Sequence, residues 1–265
     1  MMLCLHKFCN DMAIKRSGKQ NTASKQKNTF KKASFNPLKS IKSPILRITS
    51  RVVLYFIGIS LFWVISLRFI NPPITWLMIQ RGFELKEQGK GFKLKKNWLS
   101  YEELSDNLKL AAIAGEDAHF MTHWGFDLKG IQNAIKKNAQ GKKLRGGSTI
   151  SQQVAKNVFL WPGRSWLRKG FETYFTVLIE TFWSKKRILE VYLNVIEMGQ
   201  GVYGADAAAE YYFSKTGSNL SKKQAALIIA ILPNPREWDA RNPSSYVNRR
   251  ANAIAKYMHH YTIPE

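Results

Sequence analysis

The chain contains few cysteines and few acidic residues, and each shortage excludes a class of protein. Its 265 residues include two cysteines, Cys4 and Cys9, both close to the N-terminus. The sequence beyond them lacks the thiols that a disulfide framework or a cysteine-ligated metal site requires. Only 18 Asp and Glu oppose 41 Lys and Arg, so the formal net charge is +23. Such a basic balance is typical of proteins that bind phosphate groups or anionic membranes.

The basic residues are concentrated at the N-terminus. Residues 1–51 contain twelve Lys or Arg and a single acid, Asp11. This Ser-, Lys- and Asn-rich segment has too few apolar residues to fold alone, so we predict a basic disordered tail on the cytoplasmic side. Met12 opens a basic stretch of its own and is, beside Met1, a second candidate start. The remaining chain is long enough for one domain.

A long uncharged run follows the tail. Residues 52–67 read VVLYFIGISLFWVISL and, with Phe69 and Ile70, approach the ~20 residues of a membrane-spanning helix. A cleaved signal peptide is disfavoured because the leader is about fifty residues long and no A-x-A site follows. We therefore predict a single transmembrane helix over residues 52–70. The residues that flank it on the N-terminal side are basic: Lys39, Lys42, Arg47 and Arg51.

This charge asymmetry predicts the orientation of the chain. Basic flanks stay in the cytoplasm, so the N-terminus is expected there and the remaining domain on the extracytoplasmic side of the membrane. A nucleic-acid partner is not expected in that compartment. The basic residues of the domain would lie beside anionic lipid headgroups instead.

The part beyond the membrane helix is predicted to be mainly α. We expect a juxtamembrane connector over residues 71–99 and one domain over residues 100–265. Apolar residues recur at intervals of three or four positions in the run that begins at Leu104, in residues 188–196 and in residues 225–232. This spacing predicts helices. We find no alternating pattern that would indicate a strand.

Residues 171–183, FETYFTVLIETFW, are unusually apolar for a surface helix and have basic residues on both sides. Two interpretations stay open. The segment is a core helix, or it is a helix partly dipped into the bilayer, where aromatic side chains favour the interface.

Two acidic residues, Glu116 and Asp117, end the first helical run. Adjacent acids beside aromatic residues suit an acid/base pair, although a charge pair at a helix end is the commoner explanation. A metal site with His119 and His123 is disfavoured because the HExxH order is absent and nothing completes a ligand set. Metal ligands are therefore left unassigned.

A second group of polar residues surrounds the run RGGSTISQQVAKN. A glycine-rich turn precedes a helix, and the free amides of a helix N-terminus bind anions, although a capped loop is the plainer explanation. Further cations follow within one segment, and several cations together suit a phosphate or pyrophosphate. The candidate substrate-binding residues of this group are Arg145, Ser148, Thr149, Gln152, Gln153, Lys156, Arg164, Arg168 and Lys169.

The motifs resemble those of family 51 peptidoglycan glycosyltransferases. GEDAHFMTHWG is similar to the first motif, GGSTISQQVAKN to the second, RKGFE to the third and KKRILEVYLN to the fourth, over about residues 71–242. The resemblance implies a mainly α, lysozyme-like domain of two lobes behind the membrane helix. It implies that Glu116 and Glu172 are the catalytic carboxylates, and that Asp117 and Glu190 belong to the substrate site.

The resemblance also implies an activity and its partners. The enzyme would polymerise lipid II into the glycan strands of peptidoglycan, and so serve cell-wall biogenesis and cell shape. Glu116 would act as general base in an inverting β-1,4 transfer that releases undecaprenyl pyrophosphate. No tightly bound cofactor is expected, although Mg²⁺ or Mn²⁺ could accompany the pyrophosphate. The expected partners are lipid II, the lipid-linked glycan, the membrane and other cell-wall synthesis proteins.

Three alternatives compete with this interpretation. A transpeptidase is suggested by S-x-x-K at Ser24, S-D-N at Ser105 and K-T-G at Lys215, but their contexts are a tail, a helix start and the end of a helical run. A lytic enzyme would share the fold and a lone Glu without needing the basic motifs. A membrane-tethered scaffold would leave both the acid and the cations unexplained.

Overall fold

The computed structural model describes residues 43–92, 94–128, 130, 132 and 147–265. Most of the predicted basic tail and Arg145 therefore lie outside the described residues. The chain divides at Ser50 into two units, and the second, Arg51–Glu265, contains the core and the candidate site.

Helices dominate the described part of the chain, which confirms the mainly α prediction, and a lysozyme-like fold fits this architecture. In chain order they are α1 (Pro44–Phe69), α2 (Trp76–Glu87), α3 (Asp106–Glu116), α4 (Ile150–Phe159), α5 (Trp166–Phe182), α6 (Lys185–Val195), α7 (Ala205–Phe213), α8 (Lys222–Ile231) and α9 (Ser245–Tyr257). Short 3₁₀ turns at Gly217–Asn219 and Met258–His260 complete the helical elements.

A small sheet joins the connector to the domain. Its strands are β1 (Lys95–Lys96), β2 (Glu197–Gly199) and β3 (Val202–Tyr203), in the order β1-β3-β2. Strand β3 pairs parallel with β1 and antiparallel with β2. The sequence did not predict these strands, because two or three residues are too few to show an alternating pattern.

Helix α1 is the apolar helix expected near the N-terminus. It is 26 residues long and, by length and composition, apolar enough to cross a membrane. The helix begins at Pro44, and proline is favoured at the first helical position. It therefore starts before the uncharged run of residues 52–67 from which a membrane helix was predicted. The helix supports membrane anchoring of the chain.

The C-terminal half of α1 packs against the domain. The Ser60 hydroxyl lies 2.6 Å from the Tyr174 hydroxyl of α5, and the Trp183 indole donates to the Val64 carbonyl at 2.8 Å. Arg187 of α6 donates to the carbonyls of Leu67 and Ile70, both at 3.0 Å. Because the last carbonyls of a helix have no partner within it, Arg187 serves as the C-terminal cap of α1.

Helix α5 is the segment for which a core helix and a bilayer-dipped helix were both open. One face lies in the core, where Phe175 and Ile179 are buried. Phe171 and Tyr174 instead contact Phe56 of α1, with ring centroids 5.7 and 5.5 Å apart. The helix therefore has a core face and a second face directed at the membrane anchor.

Two groups of helices form the core. Helix α4 packs against α5 and α6, while α3 packs against α8 and α9. The buried side chains at these contacts include Leu108, Ile150, Val154, Leu189, Tyr192 and Ile228. The end of α3 and the start of α4 meet between the two groups, and this junction carries the candidate site.

The cap on α1 yields a stability prediction. Arg187→Met should leave the carbonyls of Leu67 and Ile70 without these donors and lower the unfolding free energy by about 1–3 kcal/mol. For a chain of this size, each kcal/mol lost lowers the melting temperature by roughly 2–4 °C. The melting temperature is measured on the full chain in detergent micelles.

The neighbouring Lys186→Met is the matched control. Lys186 forms an ion pair with the exposed Glu102 and lies over the Tyr101 ring at 5.1 Å, and surface pairs contribute ~0–1 kcal/mol. Equal melting temperatures for the two variants would show that the cap does not stabilise the junction with α1.

Candidate active site

Glu116 is the last residue of α3, and its side chain is 15% exposed. Burial raises the pKa of Glu116 and the neighbouring Asp117 raises it further, whereas hydrogen bonds from Gln153 and Arg250 lower it. The net effect is a carboxyl group whose pKa lies above its ordinary value. A carboxylate of this kind suits the role of proton acceptor near neutral pH.

Residues of two other helices each donate a hydrogen bond to a different oxygen of the Glu116 carboxylate. The Gln153 side-chain amide of α4 donates to Oε2 at 3.1 Å. The Arg250 guanidinium of α9 donates to Oε1 at 2.9 Å. The orientation of the carboxylate is therefore set by residues distant from it in the sequence.

Asp117 fastens the end of α3 to the start of α4. Its carboxylate accepts a hydrogen bond from the Ile150 backbone N–H at 2.9 Å and lies 2.8 Å from Nε2 of His123. The side chain is 1% exposed. The expected contact of Asp117 with substrate stays a prediction, since the carboxylate is occupied by these two groups of the protein.

Thr149 and Gln152 form a capping box at the start of α4. The Thr149 hydroxyl accepts from the Gln152 N–H at 3.2 Å, and the Gln152 side chain accepts from the Thr149 N–H at 3.0 Å. Thr149 also donates to the Gly125 carbonyl at 2.7 Å. Both side chains are buried, whereas Ser148 is exposed. Of the predicted substrate-binding residues described around this helix start, Ser148 is exposed and Gln153 is half-buried.

A cavity of about 300 Å³ adjoins the C-terminal half of α4. Lys156, Arg164 and Arg168, all predicted from the sequence, line it together with Arg81 of α2. Apolar side chains complete the wall, namely Leu77, Leu160 and Trp161. Arg81 was missed because it lies outside every motif, and no local signal distinguishes it from the other basic residues of the connector.

Lys156 is the cavity cation best placed to meet a ligand. Burial lowers its pKa, and the nearby Glu172 carboxylate raises it in part. Within the part of the chain that the structure describes, its ammonium group forms no hydrogen bond or ion pair. A partly buried cation of this kind gains a full set of interactions when an anion enters the cavity.

Glu172 orders the basic side chains beside the cavity. It is 3% exposed, accepts a hydrogen bond from Lys169, and lies 3.6 Å from Nη1 of Arg168. Lys169 does not line the cavity itself and connects to it through Glu172. The structure therefore brings together Glu172, Arg168 and Lys169 of the third motif.

Glu190 is placed elsewhere. Its carboxylate accepts from the Trp98 indole at 3.2 Å and from Arg187 at 2.9 Å. It thereby supports the residue that caps α1, and the structure does not bring it together with the cavity side chains. No cluster of three or more His, Cys, Asp or Glu suited to a metal occurs among the described residues.

Comparison with known proteins identifies the family. The transglycosylase family model matches residues 83–259. A biosynthetic peptidoglycan transglycosylase of Pseudomonas entomophila is 53% identical over 216 residues, which cover 82% of this chain and 92% of that protein. One of Pseudomonas savastanoi is 52% identical over 214 residues, with coverages of 81% and 91%, and one of Pseudomonas putida is 51% identical over 216 residues, with 82% and 92%. The chain belongs to the transglycosylase family.

This membership confirms the resemblance drawn from the motifs and the prediction of a glycosyltransferase. The transglycosylase match spans Glu116, Lys156, Glu172 and Arg250, whereas α1 and Arg81 precede it. Glu116 and the cavity residues of α4 and α5 thus lie within the family domain, whereas the cavity residues of α2 precede it.

The role of Asp117 can be tested by stability. Asp117→Ala should leave the Ile150 N–H and the buried His123 ring without their acceptor, so we expect the unfolding free energy to fall by about 2–3 kcal/mol. The measurement is thermal melting of the full chain in detergent.

Glu210→Ala on α7 removes an exposed carboxylate and serves as the control, which should melt within about 0.5 kcal/mol of the wild type. If Asp117→Ala melts like this control, then Asp117 does not hold the junction of α3 and α4.

Proposed function

We propose that this transglycosylase polymerises lipid II into peptidoglycan glycan strands on the outer face of the cytoplasmic membrane. One observation carries the proposal: α4 presents Gln153 to Glu116 and, one turn further, Lys156 to the cationic cavity. A proton acceptor and an anion-binding cavity are thus held by one rigid helix. The relatives named biosynthetic peptidoglycan transglycosylases support the same substrate class.

Glu116 is the general base in this proposal. Its carboxylate takes the proton of the acceptor sugar's 4-hydroxyl while that oxygen forms a bond to the anomeric carbon of the donor. The bond from that carbon to the pyrophosphate oxygen breaks, and attack from the opposite face inverts the configuration to a β-1,4 linkage. The raised pKa of Glu116 favours acceptance of the proton.

The cavity stabilises the leaving group. Undecaprenyl pyrophosphate departs as an anion that needs no proton, so cations suffice to offset its charge. Lys156, Arg164 and Arg168 supply such groups, with Glu172 and Lys169 ordering them. No tightly bound cofactor is needed, and Mg²⁺ or Mn²⁺ would enter with the substrate pyrophosphate. Ser148 and Gln153 would contact the sugar portion.

The membrane helix places this site beside the bilayer. Helix α5 contacts α1 and also contributes Arg168 to the cavity. The first turn of α5 exposes Trp166 (93%) and Leu167 (68%). Apolar side chains next to a cationic cavity suit a substrate with a lipid tail and a pyrophosphate head. The basic N-terminal flank would keep the tail in the cytoplasm and the site outside.

The transpeptidase motifs are not supported by their positions. Ser105 to Asn107 form the start of α3, with Ser105 buried. Lys215 follows α7 and donates to Gln224 at 3.3 Å. Ser24 lies outside the described residues. A lytic activity would likewise not explain the cationic cavity, because the bond that such an enzyme cleaves carries no pyrophosphate.

An assay with labelled lipid II separates these functions. The full chain in detergent should form polymer from lipid II and leave preformed glycan uncut. Cleavage of preformed glycan would instead indicate a lytic enzyme, and neither reaction would favour a scaffold.

Lys156→Gln tests the cavity within that assay. Loss of one charged donor costs about 1.5–3 kcal/mol, so the polymerisation rate should fall roughly 10- to 100-fold. Lys223→Gln removes an exposed lysine of α8 and is the matched control. A rate for Lys156→Gln equal to that of the control would mean that the cavity does not bind the pyrophosphate.

A further inference from the structure

Arg250 is the cation that contacts Glu116, and it lies outside the motifs that revealed the site. It extends from α9 and donates from Nη2 to Glu116 Oε1 at 2.9 Å and to the Gly115 carbonyl at 3.3 Å. The Arg250 and Glu116 side chains are 22% and 15% exposed, so solvent screens their attraction only in part. We propose that Arg250 is a positioning residue that keeps Glu116 ionised and correctly oriented, an inference that rests on the proposed function.

The close approach of α9 to α3 is built into the packing. A Cβ at Gly115 would lie 2.7 Å from a methyl group of Ile229 in α8 and 3.0 Å from one of Ile254 in α9. The first distance is shorter than a Cβ tolerates and the second is tight, so the glycine lets both helices reach the last turn of α3. Ile254 follows Arg250 by one turn of α9, and the same contact therefore brings the guanidinium to the carboxylate.

Glu116 needs a cation because several of its surroundings favour the neutral form, and the Gln153 hydrogen bond offsets them only in part. Burial and Asp117 both raise its pKa, and the end of α3 presents the negative pole of the helix dipole. The other titratable groups that face it are Lys156 of α4 and Tyr192 of α6, the latter uncharged because burial raises its pKa well above the ordinary value. Arg250 is the cation in direct contact, and an opposite charge at this distance lowers a carboxyl pKa by ~1–3 units.

The two donors bind different oxygens of the Glu116 carboxylate. Arg250 binds Oε1 and Gln153 binds Oε2. A guanidinium remains charged throughout the working pH range and cannot itself accept a proton, so Arg250 does not compete with Glu116 as the base. Its effect would be exerted through Glu116 alone.

The ionisation of Glu116 can be measured directly. The full chain, labelled with ¹³C at the glutamate side-chain carboxyl and held in detergent micelles, is titrated by NMR, and the Glu116 signal is assigned by its loss in Glu116→Gln. In Arg250→Gln the Glu116 titration should move up by at least about one pH unit. Arg249→Gln removes an exposed charge from the same helix and should leave the titration in place.

A pH profile of polymerisation provides the second readout. The base works when ionised, so activity is lost as pH falls through the Glu116 pKa. In Arg250→Gln this acidic limb should move to higher pH by the same amount, whereas Arg250→Lys should largely restore it. Arg250→Met, which retains an apolar stem, takes the place of Arg250→Gln if that variant does not fold.

Two outcomes would overturn the inference. An unchanged Glu116 titration in Arg250→Gln, or a slower rate with an unmoved acidic limb, would mean that Arg250 does not act through Glu116. If the wild type forms no polymer, the proposed function fails, and the NMR titration still decides whether Arg250 controls the carboxylate.

Discussion

The Asp117 carboxylate, held between the first amide of α4 and the His123 ring, is the contact on which the site depends. It fixes the start of α4 against the end of α3, and the preceding residue, Glu116, thereby meets Gln153. One turn along α4, Lys156 enters the cationic cavity. A buried carboxylate with two protein partners thus determines the spacing between Glu116 and the cationic cavity.

The second constraint is the membrane anchor. Helix α1 does not end in a free linker, because Trp183 and Arg187 bind the carbonyls of its last turns. The enzyme domain therefore has a defined orientation towards the apolar helix, and α5 shares a face with it. In the proposed function, a substrate held in the bilayer by its lipid tail would need such a fixed geometry, since the reacting sugar would have to reach Glu116 from one direction.

The sequence predicted those features that depend on neighbours along the chain. Helical periodicity, the uncharged run of α1 and the motif around Glu116 are local, and Thr149 with Gln152 even shows the S/T-x-x-E/Q signature of the capping box that they form. Arg250 and Arg81 could not be predicted, because their roles arise from contacts between distant segments. Arg250 is separated from Glu116 by 134 positions. Glu190 was assigned to the substrate site from its motif, whereas its partners are Trp98 and Arg187.

The central claim is that Glu116 accepts the proton of the acceptor sugar, and Glu116→Gln tests it most directly. The amide keeps nearly the same volume but cannot take the proton, so polymer formation from lipid II should fall by ~10²–10⁴. Thermal melting in detergent should change little, because Glu116 contributes no apolar packing to the core. A variant that melts normally and polymerises at more than about a tenth of the wild-type rate would contradict the account, since a general base worth ~1.4 kcal/mol or more would then be absent from this position.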